Sequence, residues 1–287
     1  MRSLLFVPGH DARKLARALD SGADALILDL EDAVPPAAKD AARAGCAGFV
    51  ARHRDRLPLW VRINALDTPH ALADLAAVAR AGPRGILLPK CGGAADVQAV
   101  SRYLDILEVR EGLPAGSLRL LPIVTETAAA TLRAAQYEAG GRLDGLMWGG
   151  EDLAADLGAQ ANRDASGRYT APYEMARSLA LLGAAAARVP AIDAVYPDFR
   201  DLQGLRAEAL DALRDGFSAK AAIHPAQVAV INEAFTPAPQ ALRQAERVLR
   251  AFQEAGGAAV VALDGKMLDR PHYRAARRVL ERAAGKA

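Results

Sequence analysis

Two acidic residues raise the first chemical question. Glu126 closes the stretch LRLLPIVTE (118–126), and Asp152 follows LDGLMWGG (143–150) and Glu151. Each stands just past an apolar run, so in a sheet of successive strands their carboxylates could converge. Two carboxylates with no Cys or His pair nearby suit a hard cation such as Mg²⁺, which keeps positions open for water and substrate. Gly149 and Gly150 carry no side chain, so a ligand could approach the backbone there. The competing reading is local, since acidic residues favour the first turn of a helix, at the positive end of its dipole. This segment alone leaves both readings open.

Arg62, in PLWVRIN (58–64), offers a planar fork that matches a carboxylate. Beside a metal it would help to hold a 2-oxo acid. Its competing role is a salt bridge to an acid of ADALILDLED (23–32), which carries Asp29, Glu31 and Asp32. Alternation puts Asp29 and Glu31 on one strand face and Asp32 at the exit, and Asp32 is expected to hydrogen-bond water on the metal. Lys90, ending RGILLPKC (84–91), is read as pairing with these acids. Tyr196 and Asp198 end one further run, and Lys220 and His224 another. The first two are expected to line a thioester channel, and His224 to brace its loop. Cys91 is read as packing.

The elements that must hold these residues are short apolar runs: 3–9, 23–32, 58–64, 84–91, 118–126, 143–150, 191–198 and 216–225. Each is bounded by Gly, Pro or charge, the pattern of a strand buried on both faces in a parallel sheet. Helical spacing lies between them, as at 11–22, at 170–189, and at 68–82 with Thr68 as N-cap and Pro69 at the first helical position. Eight strand–helix units in a chain of this length predict a (β/α)₈ barrel, whose site lies at the C-terminal strand ends. The expected division is a barrel over 1–235 and a lid or oligomerisation extension over 236–287. The extension reads as helix, a short strand-like piece with a Gly-Lys turn, and a final basic helix whose arginines 270, 274, 277 and 278 face solvent.

The 287 residues are 52% hydrophobic, with a net charge of +2 and both signs interspersed. Nothing there points to nucleic acid. Cys46 and Cys91 stand far apart, which argues against a disulfide framework. No stretch reads as a secretory signal or a membrane span, so a cytoplasmic protein is expected.

Together RSLLFVPG, LDLEDAV followed by Lys39 and Arg43, WVRIN, LLPK, IVTETA, GGEDLAADLG, AIDAVYPDFRD, GFSAKAAIHPAQV and GKMLDRP resemble the citrate lyase β-subunit family. That family lies within the HpcH/HpaI aldolase superfamily and includes malyl-CoA and β-methylmalyl-CoA lyases and related thioesterases. The resemblance spans nearly the whole chain in the same order. It implies a Mg²⁺-dependent barrel, assembled as a trimer or hexamer, that makes or breaks a carbon–carbon bond between a 2-oxo acid and a thioester. It implies Glu126 and Asp152 as metal ligands and Arg62 as the substrate-carboxylate binder. Asp269 is implied as an acid/base group on a lid that reaches a neighbouring subunit. Arg13 stands where a CoA phosphate could be met. Phe6 stands where some relatives carry Tyr, so a hydroxyl contact is absent, and Leu268 replaces the more usual Ile beside Asp269. The acyl group is open among citryl, malyl and methylmalyl types, carried on CoA or on a carrier-protein partner. A thioesterase, an aldolase acting on free 2-oxo acids and a non-catalytic thioester-binding subunit are the rival expectations.

Overall fold

The computed structural model describes residues 1–285, so the last two positions of the expected extension lie outside the described residues. The eight apolar runs become eight parallel strands of a (β/α)₈ barrel, each followed by helix. The first half runs β1 (Ser3–Pro8), α1 (Ala12–Ala18), β2 (Ala25–Asp29), α2 (Lys39–His53), β3 (Leu59–Arg62), α3 (Ala71–Ala79), β4 (Gly85–Leu88) and α4 (Ala94–Glu111). The second runs β5 (Arg119–Pro122), α5 (Ala128–Leu132), β6 (Leu146–Met147), α6 (Glu151–Asp156), α7 (Ala171–Ala187), β7 (Ala191–Asp193), α8 (Leu202–Asp215), β8 (Ala219–Ala222) and α9 (Pro225–Phe235).

Pairing runs unbroken from β5 through β1 to β8, β7 and β6. The ring closes between β5 and β6 through two single bridges, Leu120 to Leu143 and Ile123 to Met147, because β6 has only two residues.

Side chains alternate between the two faces of each strand. Leu4, Ile27, Trp60, Leu87, Leu121 and Ile192 fill the barrel interior. Leu5, Leu26, Leu28, Val61 and Ile86 pack against the helices. The interior positions of β2 are Ala25 and Ile27, and that of β3 is Trp60, so Asp29 and Arg62, two residues further on, emerge inside the C-terminal mouth. On β7 and β8 the interior positions are Ile192, Ala219 and Ala221, which turns Asp193 and Lys220 outward. The expectation that Lys220 joins the mouth is corrected here, because one residue of offset selects the other face of a strand.

Thr68 is not an N-cap. Its hydroxyl donates back to the Ala65 carbonyl at 2.7 Å and closes a turn, and α3 begins only at Ala71. Asp11 does cap α1, accepting from the Arg13 and Lys14 amides at 3.0 Å each.

After α9 come α10 (Pro239–Glu254), an antiparallel hairpin of β9 (Val260–Leu263) and β10 (Lys266–Asp269), and α11 (Arg270–Ala283). These bury a separate apolar cluster that includes Val248, Phe252, Val261, Leu268 and Ala276. The other hairpin face turns Val260, Ala262 and Met267 to solvent, with Asp269 paired to Val260. Among the described residues no helix is long and apolar enough to cross a membrane.

Candidate active site

A cavity of about 480 Å³ opens at the C-terminal strand ends. Phe6, Ile123, Met147, Val195 and Ile223 form apolar wall, and Asp29, Asp32, Arg62, Glu126 and Asp152 bring charge.

β2 and β3 supply the part built around Arg62 and Asp29. The Arg62 fork bonds Asp29 in bidentate fashion, Nε to Oδ1 at 2.8 Å and Nη2 to Oδ2 at 2.7 Å. Asp29 also accepts the Glu31 and Ala33 amides at 2.8 and 3.1 Å, which fixes the chain leaving β2. The expected alternative, a salt bridge to an acid of the second run, is therefore what occupies this edge of Arg62. Its remaining nitrogen, Nη1, lies 2.9 Å from Glu31 and 3.6 Å from Asp32, with the Phe6 ring 5.1 Å from the guanidinium carbon. Burial disfavours the Arg62 charge, but Asp29, Glu31 and Asp32 outweigh it and hold the group protonated.

Lys90 links this part to the rest. Its Nζ sits 2.6 Å from Glu31, 3.5 Å from Asp152 and 3.8 Å from Asp32. Burial works against its charge, yet the acids raise its pKa above the ordinary lysine range. Its backbone is left-handed, at φ 48°, a conformation that costs a non-glycine residue about 1 kcal/mol. The Lys90 amide donates to Glu126 Oε2, so the strained turn is pinned at both ends by site carboxylates.

Glu126 is 3% exposed. Burial pushes its carboxyl up to about 8 despite the Lys90 amide, and Glu31 and Asp152 add to the rise. Glu31 is raised by the same burial, against Arg62 and Lys90, which face its two oxygens. Gly149 gives Glu126 room, since a Cβ there would lie 3.0 Å from Glu126 Cγ. Thr125 Oγ1 holds the Gly149 amide at 3.0 Å.

α6 separates its two leading acids. Both line the cavity, but Glu151 accepts from Asn162 at 2.9 Å, while Asp152 lies 3.5 Å from Lys90. Both stand in the first helical turn, so the favourable dipole applies to each, but only Asp152 joins the Lys90 contacts that link to Glu126. Among the described residues no cluster of three or more His, Cys, Asp or Glu could hold a metal. Two carboxylates at one mouth, one with its proton affinity raised by burial and then by neighbouring acids, match a divalent oxygen-preferring cation that fills its other positions with water or substrate.

Arg62, Asp32, Glu126 and Asp152 thus come together. The other anticipated residues stand apart. Tyr196 donates to Asp201 at 2.7 Å, and Asp198 accepts the Arg200 and Asp201 amides at 2.9 and 3.3 Å. Both serve their own loop, and the neighbouring Ala194 and Val195 line the cavity instead. Arg13 is exposed on α1, outside the cavity wall. Asp269 caps α11 at the far end of the hairpin, with His272 Nδ1 2.6 Å away holding its carboxyl below the usual range. It does not reach this chain's own cavity. His224 caps α9 and stacks on Phe199 at 4.8 Å, bracing its loop as expected. Cys91 is buried against Tyr137, its thiol pushed up to about 11 by burial.

Residue types alone hid Trp148 and Asp193. Trp148 lines the cavity and donates its indole N–H to Asp193 at 2.6 Å. A tryptophan in an apolar run reads as core, and Asp193 lies inside AIDAV. The only signal was an acid in the middle of a buried strand.

Comparison with known proteins bears on this geometry. Residues 2–225 match the model of the family described as HpcH/HpaI aldolase/citrate lyase. The chain is 37% identical over 288 residues to a (3S)-malyl-CoA thioesterase of Cereibacter sphaeroides, covering 98% of this chain and 94% of that protein. It is 33% identical over 297 residues to mitochondrial citramalyl-CoA lyase of Rattus norvegicus, covering 97% and 85%. Among solved structures, CitE of Mycobacterium tuberculosis in complex with magnesium, acetoacetate and coenzyme A superposes with a TM-score of 0.80 at 35% identity, covering 99% of this chain and 98% of that one.

Proposed function

The chain belongs to the HpcH/HpaI aldolase/citrate lyase family, and from that premise we propose that it is a Mg²⁺-dependent carbon–carbon lyase. It cleaves a 3-hydroxyacyl thioester to a 2-oxo acid and a shorter acyl thioester. The observation that carries this reading is that the buried Glu126 lines one cavity with Asp152, with burial first, and Glu31 and Asp152 after it, raising the Glu126 carboxyl to about 8. A divalent ion relieves that crowding, and the similar CitE structure contains magnesium.

In this proposal Glu126 and Asp152 would hold the ion, and a bound ion would supply Lewis-acid charge at the site. Arg62 meets the substrate carboxylate through Nη1, which would exchange Glu31 for it while Asp29 holds the other edge. Asp32 orients water at the mouth. Asp269 of a neighbouring subunit, kept ionised beside His272, takes the substrate's hydroxyl proton. The carbon–carbon bond then breaks, its electrons form the thioester enolate, and that proton returns to the enolate carbon. Assembly as a trimer or hexamer, with residues 236–287 as the exchanged lid, belongs to the same reading because Asp269 lies outside its own chain's cavity. Arg13, Tyr196 and Asp198 are assigned to the outer thioester channel, and the protein to the reducing cytoplasm that suits its two free cysteines.

Among citryl, malyl and methylmalyl groups, the charge of the site favours those with one free carboxylate. Arg62 and Lys90 already face Asp29, Glu31, Asp32, Glu126 and Asp152, which leaves no cation for a second. Similarity to a thioesterase supports one alternative, water attack on the thioester.

The test incubates purified protein and Mg²⁺ with citryl-, malyl- and β-methylmalyl-CoA, beside an Asp152→Ala control, and identifies products by mass spectrometry. A 2-oxo acid with acetyl- or propionyl-CoA, absent in the control, is expected. Free CoA with a hydroxy acid makes the protein a thioesterase. No turnover of any CoA ester overturns the stand-alone lyase and favours a carrier-protein substrate or a binding subunit.

A further inference from the structure

A closed ring of side chains stands behind the turn that carries Asp152, and the mechanism above does not use it. Trp148, 1% exposed, donates Nε1–H to Asp193 Oδ1 at 2.6 Å. Asp193 is fully buried; Lys220 Nζ holds its Oδ2 at 2.7 Å and Arg177 Nε its Oδ1 at 3.2 Å. Lys220 spends its other protons on the Ala194 carbonyl at 2.7 Å and on Glu208 at 2.8 Å. Glu208 in turn takes Arg163 at 2.6 Å, whose guanidinium lies 3.8 Å from the centre of the Tyr169 ring. Tyr169 meets Trp148 edge-on at 4.9 Å, and the ring is complete.

What the ring grips is Gly150. A Cβ there would lie 3.0 Å from the Trp148 ring and 3.6 Å from Tyr169. Gly150 is the N-cap position of α6, two residues before Asp152. The preceding Gly149 is held from the other side by Thr125 and, lacking a Cβ, leaves room for Glu126. The direction in which Asp152 leaves this turn therefore depends on where the Trp148 ring sits, and the bond to Asp193 sets that.

We infer that Trp148, anchored by Asp193, is a positioning residue that aims Asp152 at the site it shares with Glu126. The inference rests on the metal-dependent reading of those two carboxylates. Groups that orient metal ligands from behind are worth about 10- to 100-fold in affinity.

The test is Trp148→Phe, which keeps an aromatic ring and removes the indole donor. Mg²⁺ binding is measured by calorimetry with no thioester present, and folding by circular dichroism. A folded variant that binds Mg²⁺ at least about ten-fold more weakly is expected. Unchanged affinity in a folded variant overturns the positioning role alone, whereas no Mg²⁺ binding by the wild type overturns the proposed function with it. The intact protein gives a second readout, because it has two tryptophans and hence two indole N–H signals. Saturation with Mg²⁺ is expected to shift the signal of Trp148 and leave that of Trp60. An unmoved Trp148 signal overturns the inference even where the variant fails to fold.

Discussion

Two groups of charge lie on opposite faces of one barrel wall. Outside, Asp193 and Lys220 are both fully buried, and every Lys220 proton has a partner. Burial alone would raise the Asp193 carboxyl, but Lys220 and Arg177 outweigh it and hold the group below the ordinary range. Inside, the acids Asp29, Glu31, Asp32, Glu126 and Asp152 outnumber Arg62 and Lys90, and burial pushes Glu126 up to about 8. The outer group pairs its two fully buried charges, Asp193 and Lys220, directly with each other. The inner one is left wanting positive charge, and that difference, more than the number of charged residues, separates a structural cluster from a candidate site.

Substitution is expected to divide the two groups. Asp152→Asn should cost about 4 kcal/mol of transition-state stabilisation, on the order of 10³-fold in kcat/KM, if the ion does Lewis-acid work there. Thermal melting should stay near the wild-type value. Lys220→Met should do the reverse, destabilising the fold by about 3–5 kcal/mol in a urea titration because Asp193 is left buried and uncompensated. Equal losses of activity and stability in both variants would dissolve the distinction.

A smaller effect concerns pH. Glu126 binds its proton more tightly in the metal-free folded protein than in the unfolded chain, so its contribution is fully present below about pH 4.5 and is lost as the pH rises through about 8. Asp193 has the opposite sign, with stability present above about pH 3.8 and lost as the pH falls. Urea midpoints between pH 5 and pH 9 should therefore decline in wild type and decline less in Glu126→Gln. Mg²⁺ binding at pH 7 should release up to about one proton, seen as a dependence of calorimetric heat on the buffer. No proton release would remove Glu126 from the group that meets the ion.

The barrel was legible because fully buried parallel strands leave short apolar runs that stand out from the helices between them. The gathering of Asp32, Arg62, Glu126 and Asp152 was legible for a related reason, since the C-terminal strand ends of a barrel share one mouth. Inward and outward positions were harder. On strands of three or four residues, such as β7 and β8, one apolar neighbour more or less reverses the apparent face, and Lys220 was assigned to the wrong side. Thr68 shows the same limit for caps, because a hydroxyl that can cap a helix can equally close a turn. Trp148 and Asp193 were invisible for want of contrast, their polar atoms being spent on each other inside an apolar segment.

The barrel is sewn least firmly between β5 and β6, where single bridges replace a ladder. Glu126 and Asp152 stand on the segments that leave those two strands. A cation held between them would therefore work as a clasp across the one loose seam of the wall. Loading the site would then stiffen the whole ring, and the metal-free molecule would be the one free to gape along that line.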